Sequence, residues 1–187
     1  KHYGEGKGTG EKILNPVTQI YLEEGAVFTL DTAQIGGVDS TVRKTEVHME
    51  ADARLYVMEK LMTHDNQTAV SDMTVEMNGA GSSAQIVSRS VAKGHSIQTF
   101  HPIAIGNALC HAHVQCDSII MDKAQISSIP EINARDIDAQ IIHEAAIGRI
   151  NNEQILKLRT FGMSMKVPLT AIIIGAALIP LFLEAGI

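Results

Sequence analysis

The feature that most constrains the fold is a short unit of alternating apolar residues that recurs along the first half of the chain. Alternation with period two places neighbouring side chains on opposite faces of a β-strand. Val47 follows Ile20 by 27 residues, and Val75 follows Val47 by 28. A repeat of this length is typical of stacked solenoid coils, because each coil buries its apolar face only against its neighbours.

Each unit has the same internal plan, two short strands joined by a turn. The three units are Ile20, Leu22, Phe28 and Leu30 around Glu24-Gly25; Val47, Met49, Leu55 and Val57 around Ala51-Asp52; and Val75, Met77, Ile86 and the further candidate Ser88 around Asn78-Gly79-Ala80-Gly81. We therefore predict a mainly β solenoid core over residues 13–146. An antiparallel sandwich built from the same short strands is the alternative.

The segments on either side of this core have a different character. Residues 1–12 are rich in Gly and Lys and predict a loose N-terminal lead-in. After Ala146 the spacing becomes near-helical, with an N-cap candidate followed by apolar positions: Asn151, then Ile155, Leu158 and Phe161. Gly162 ends this helix, and a second apolar helix is expected to run to about Ile179. The pattern thus predicts a C-terminal helical hairpin within residues 147–187.

The uncharged stretch from Val167 to Leu183 has to be compared with a membrane span. Pro168 and Pro180 bracket it and Glu184 follows closely, whereas a span normally needs about 20 apolar residues. We predict instead that residues 167–178 form a helix that packs on the preceding helix and contributes to a partner-binding surface. A membrane-anchored structural protein is the alternative for this tail.

Composition narrows the functional classes. A net charge of -6 with three Tyr and four Phe does not suit a nucleic-acid surface. Two cysteines without a secretion-like start indicate free thiols in a reducing compartment, so we expect a cytoplasmic protein. No nucleophile elbow, P-loop or dinucleotide-binding motif is present in the sequence, and we expect the protein not to be an enzyme.

The densest group of candidate ligands runs from Cys110 to Cys116 and contains two thiols and two imidazoles. Such ligands suit zinc or iron-sulfur species. In a regular strand, however, the two cysteines face one way while His111 and His113 face the other, so the four cannot bind one ion. Cysteines packed inward beside solvated histidines are an equally simple interpretation. A zinc-binding β protein or zinc-dependent enzyme that uses Cys110, His111, His113 and Cys116 remains the alternative function.

A second pair of ligand-type residues is His143 and Glu144, which as neighbours in a strand also point to opposite faces. The other histidines considered are expected at the surface or in turns: His48, His64, His95 and His101.

Several longer motifs follow the cysteine cluster. They are His113-Val114-Gln115-Cys116-Asp117-Ser118, Ile129-Pro130-Glu131-Ile132, Ala139-Gln140-Ile141-Ile142-His143-Glu144-Ala145, Ile150-Asn151-Asn152-Glu153-Gln154-Ile155, Leu158-Arg159-Thr160-Phe161-Gly162-Met163-Ser164 and Ile172-Ile173-Ile174-Gly175. In these motifs the chain resembles the C-terminal part of the SufB/SufD family, the scaffold of the SUF iron-sulfur cluster assembly machinery. The resemblance implies a right-handed parallel β-helix followed by helices that dock on the ABC-type ATPase SufC.

The resemblance also implies site residues. In SufB-like members the cysteine of the Gln-Cys-Asp-Ser motif and the glutamate of His-Glu-Ala are tied to the nascent cluster, which implies Cys116 and Glu144 here. A SufD-like member contributes a histidine at the place of His143. Because this chain has all three of these residues, it resembles SufB, or a single-subunit ancestor of a minimal system, more than a specialised SufD.

A second cysteine, often found downstream in SufB, is missing, and Ala124 lies near its place. The transient cluster would therefore need further ligands. We predict a homodimer, or a SufB/SufD-type heterodimer, formed through the β-helix, with Cys116 of one subunit near His143 and Glu144 of the other.

Overall fold

The computed structural model describes residues 9–150. The predicted helical hairpin, including the helix over residues 167–178, lies outside this range. The described part is built from β-strands in the order β1 (Val17–Leu22), β2 (Val27–Gln34), β3 (Ser40–Met49), β4 (Arg54–Thr63), β5 (Thr68–Met77), β6 (Ser82–Ala92), β7 (Ile97–Gly106), β8 (Cys110–Met121), β9 (Gln125–Ser128), β10 (Glu131–Ala134) and β11 (Gln140–Ile150).

The strands form two sheets, and all the strand pairings within them are parallel. The first sheet has the order β1-β3-β5-β7-β10, with β9 also paired to β7, and the second has the order β11-β8-β6-β4-β2. The chain therefore passes from one sheet to the other and back, and each circuit lays one coil on the previous one. About five coils result. The predicted β solenoid is confirmed, and the antiparallel sandwich was the wrong alternative.

The register of the first sheet explains the repeat in the sequence. Ile20 pairs with Val47, and Val47 pairs in turn with Val75. In the second sheet Val57 pairs with Ile86. The spacing of 27 to 29 residues between like positions is therefore the length of one coil, and equivalent side chains stack in columns along the solenoid.

The corners after β1, β3 and β5 each use a residue in the left-handed conformation. Gly25, Asp52 and Gly81 stand at successive corners with φ of 69°, 56° and 77°. Glycine, and to a lesser extent aspartate, adopts this conformation at little cost. The corners are bonded to one another as well, since the amide of Gly25 donates to the carbonyl of Ala51 at 2.8 Å. The coils thus stay in register at their bends as well as along their strands.

The interior between the two sheets has two chemically different halves. The half beside these corners is apolar and includes Val47, Met49, Leu55, Val75, Met77, Ile86 and Val114. The other half contains buried polar side chains, among them Glu59, Thr63, Ser71, Ser90, Gln98 and Ser118. The candidate site lies at one end of this polar half.

The end of the β structure differs from the predicted boundary at residue 146. β11 pairs with β8 through Ile150, so the predicted start of the helical region at 147 is too early. Arg149 stabilises this extension, because its guanidinium donates to the carbonyl of Asp122 at 2.7 Å. Among the described residues, there is no helix long and apolar enough to cross a membrane.

Candidate functional site

The parity of β8 separates the thiols from the imidazoles. Cys110 and Cys116 point between the sheets and are buried, whereas His111 is exposed and His113 half-buried on the outer face. This is the separation predicted for a regular strand. The four residues of the zinc alternative therefore do not meet at one point within this chain.

Cys116 has an imidazole partner one coil further on. The Nε2 atom of His143 lies 3.5 Å from the Sγ atom of Cys116. In the register of β11 on β8, His143 pairs with the inward-facing Val114, so its ring also points between the sheets. Two of the three predicted site residues are thus in contact within a single chain, whereas the sequence led us to expect His143 from the other subunit.

Glu144, the third predicted site residue, lies on the other face of β11. It pairs with Gln115, an outer position of β8, and its Oε2 atom lies 3.4 Å from Nε2 of His113. Its side chain is 64% exposed. The structure therefore separates Glu144 from the Cys116–His143 pair of the same chain, and Glu144 remains accessible to solvent or to a partner.

A serine missed in the sequence also contacts the sulfur. The hydroxyl of Ser128 donates to Sγ of Cys116 at 3.4 Å, from β9 in the opposite sheet. A cavity of about 10 Å³ adjoins this contact and is lined by Cys116, Ser128 and residues that include Glu59, Ser88 and Gln98. Such a volume holds about one water molecule, so fixed side chains rather than solvent surround the sulfur.

Burial is the main influence on the pKa of the Cys116 thiol. It raises the pKa of Cys116, the Ser128 hydrogen bond lowers it, and the nearby carboxyl groups of Asp117 and Glu59 raise it further. Burial likewise raises the pKa of Cys110. A metal that binds Cys116 must displace a proton, because the thiolate is the ligand form.

Glu59 is the second buried group that sequence reasoning missed. Its side chain is 2% exposed, with Nη1 of Arg43 at 3.4 Å and a hydrogen bond from Ser71 at 3.0 Å. Burial raises the pKa of Glu59, while Arg43 and Ser71 act in the opposite direction. The sequence could have indicated its burial, because Glu59 lies on the same face of β4 as the inward-facing Leu55 and Val57.

Two of the histidines predicted at the surface, His48 and His101, lie beside carboxylates. Nδ1 of His48 lies 3.1 Å from Glu76, and Nε2 of His101 lies 2.8 Å from Glu131. His64 and His95 lie in or beside turns, as predicted. Over residues 9–150 there is no group of three Cys, His, Asp or Glu side chains placed to hold a metal ion together. A complete ligand set would need donors from elsewhere.

The fold and the site together define a parallel β-solenoid protein with a buried thiol–imidazole pair near the end of the described coils. The family model described as SUF system FeS cluster assembly, SufBD core domain, matches residues 9–175. The chain belongs to the SufBD family. The predicted resemblance is confirmed, and membership supports a role in iron-sulfur cluster assembly.

Similar proteins include archaeal members named iron-sulfur cluster assembly SufBD family protein. The one from Methanocaldococcus jannaschii is 28% identical over 82% of this chain and 49% of its own length. The one from Archaeoglobus fulgidus is 29% identical over 87% of this chain and 44% of its own, and one from Pyrococcus horikoshii is 29% identical over 84% and 48%. The chain spans about half the length of the curated relatives it matches.

Proposed function

We propose that the chain is a scaffold on which a nascent iron-sulfur cluster is built, in concert with an ABC-type ATPase, and that it is not itself an enzyme. The observation that carries the proposal is the 3.5 Å contact between Cys116 and His143 in a member of the SufBD family. Thiolate binds iron strongly, and imidazole can complete a more labile position. A site of this composition suits a cluster that is assembled and then released.

Cys116, His143 and Glu144 are the ligands we propose, with Glu144 supplied by a second subunit. Among the strands of residues 9–150, β11 stands at the end of its sheet and pairs with β8 on one side only, and a strand edge of this kind can pair with another strand. We propose a homodimer, or a SufB/SufD-type heterodimer, formed through the β-helix, because identical subunits commonly associate by such self-complementary contacts. The exposed carboxylate of Glu144 could then reach the Cys116–His143 pair of the other subunit.

The ATPase partner is proposed to be SufC-like and to dock, in the cytoplasm, on the C-terminal segment that follows β11. Support comes from the apolar character of that segment in the sequence and from family membership. We also propose that the solenoid is right-handed, as the resemblance to the family implies. The cluster is transient, so protein purified without it is compatible with this role.

The test is anaerobic reconstitution of the full chain followed by metal and sulfide analysis. Iron and acid-labile sulfide in matched amounts are expected. Stoichiometric zinc without sulfide would instead favour the zinc-binding alternative.

The proposed partner is tested separately. An ATPase should co-purify with the full chain from its host, and deletion of the residues after Gly162 should abolish that association. An undiminished association after the deletion would contradict the proposed docking segment.

A further inference from the structure

We propose that Ser128 is a positioning residue for Cys116, whose sulfur it orients through a hydrogen bond from the opposite sheet. The inference deepens the proposed function and rests on it, because it concerns the residue proposed to bind the cluster.

The geometry holds the sulfur between two groups. The hydroxyl of Ser128 donates to Sγ from β9 at 3.4 Å, and the imidazole of His143 approaches from β11 at 3.5 Å. One contact crosses the interior between the sheets, and the other comes from the next coil of the same sheet. Together they restrict the directions in which the remaining electron pairs of the sulfur can point.

The place of Ser128 is fixed by a break in the first sheet. Ser128 is the last residue of β9 and pairs with Phe100 of β7. The next amide, of Ile129, donates to the carbonyl of Phe100 at 2.9 Å, and Pro130 then separates β9 from β10. Because proline has no amide to donate, the ladder is interrupted just after Ser128. The hydroxyl is thus anchored at a strand end opposite Cys116.

Several other polar groups of the cavity bond to partners other than Cys116. The hydroxyls of Ser90 and Ser118 bond to each other at 2.9 Å, and the Gln98 amide donates to Thr63 and to the carbonyl of Val91, each at 2.8 Å. Within residues 9–150, Ser128 supplies the one hydroxyl that donates to Sγ of Cys116.

A donor of this kind has two consequences for a ligand. It stabilises negative charge on the sulfur, and it fixes the orientation of the side chain, as partners of metal ligands generally do. Hydrogen bonds to cluster sulfurs also contribute to the reduction potential. Both consequences can be measured, and the first needs no cluster.

The first measurement is the alkylation rate of Cys116 by iodoacetamide in metal-free, full-length protein. Cys110→Ala serves as the background, since it leaves Cys116 as the sole thiol. Ser128→Ala is expected to slow the reaction about fivefold, because the lost hydrogen bond favours the reactive thiolate, while the higher nucleophilicity of the remaining thiolate offsets part of the effect. Ser128→Thr keeps the hydroxyl and should restore most of the rate. Circular dichroism confirms that each variant is folded.

Ser90→Ala is the matched control, because it removes from the same cavity a hydroxyl whose hydrogen bond is to Ser118 and not to Cys116. It corrects for any gain in access and should not slow the reaction. An unchanged or faster rate in Ser128→Ala, or an equal slowing in Ser90→Ala, would overturn the inference.

The second measurement is the reduction potential of the reconstituted cluster, which should become more negative in Ser128→Ala but not in Ser90→Ala. An equal potential in parent and Ser128→Ala would overturn the inference for the loaded protein. If the parent chain assembles no cluster, the proposed function fails, whereas the alkylation rates still decide the role of Ser128.

Discussion

Sγ of Cys116 and Nε2 of His143 lie 3.5 Å apart although 27 residues separate them in the sequence. One coil from β8 to β11 is 29 residues, since Cys116 pairs with Ala145, so the contact runs diagonally between stacked coils and is not made by a local turn. The same stacking leaves Glu144 on the outer face, where it cannot join the pair in its own chain. The parity of β11 therefore sets the opposite positions of His143 and Glu144.

Replacing Cys116 by Ser should abolish the absorbance of the reconstituted cluster, because the thiolate is its strongest iron ligand. Cys110→Ser is the control, since Cys110 is buried on the same face six residues earlier, about 20 Å away along a strand. It should retain the cluster. Iron and sulfide analysis with ultraviolet-visible spectra provides the measurement, and a Cys116→Ser protein that reconstitutes normally would contradict the proposal.

Mixed dimers, obtained by co-expressing two tagged variants, should reveal which ligands come from which subunit. Cys116→Ser paired with Glu144→Ala should recover up to one cluster site per dimer, because one chain keeps the Cys–His pair and the other keeps the glutamate. Cys116→Ser paired with His143→Ala should recover none, because Cys116 and His143 act within one chain. No recovered iron in either pairing would show that the glutamate acts within the chain of its own Cys–His pair.

Stability should depend on pH through Glu59. Its folded-state pKa is raised by burial, so between the ordinary pKa and the raised one the folded protein binds more protons than the unfolded chain. The unfolding free energy of the wild type, relative to Glu59→Gln, should therefore fall as pH rises through this window, by about 1.4 kcal/mol for each pH unit that separates the two pKa values.

Urea unfolding at closely spaced pH values measures this difference. Glu46→Gln, at an exposed position of the neighbouring strand β3, controls for the loss of one carboxylate. A wild-type stability that rose relative to Glu59→Gln over the same range would show that Arg43 outweighs burial.

Two corner glycines should respond differently to alanine. A Cβ on Gly79 would overlap the backbone of Glu50 and Ala51 in the coil below, whereas a Cβ on Gly25 has no neighbour within 4 Å among the described atoms. Gly25→Ala should cost about 1 kcal/mol from its left-handed backbone alone. Gly79→Ala must shift the corner and should cost several times as much in urea unfolding. Equal losses would contradict the close stacking of the coils.

Much of the fold was predictable because stacking repeats the same alternation in each coil. Ile20, Val47 and Val75 were aligned by sequence distance alone, and the structure pairs them in that order. The inward cysteines of β8 followed from strand parity. These features depend on short-range patterns that a sequence displays directly.

Other features depend on which strands face each other across the interior, and a sequence does not show that. Ser128 belongs to a strand of four residues whose position is set by the break at Pro130. The end of β11 was misplaced because Ala145, Ala146 and Gly148 interrupt the alternation, although pairing to β8 continues.

The position of β11 at the end of its sheet has a consequence for how the site opens. In a stack of coils, stability comes mainly from nearest neighbours, and local opening begins where a strand has a neighbour on one side only. Among the described strands β11 pairs with β8 alone, whereas β8 is held by both β6 and β11. Amide hydrogens of β11 should then exchange sooner than those of β8. Fraying of β11 would withdraw His143 and expose the sulfur of Cys116 while the rest of the solenoid stays folded.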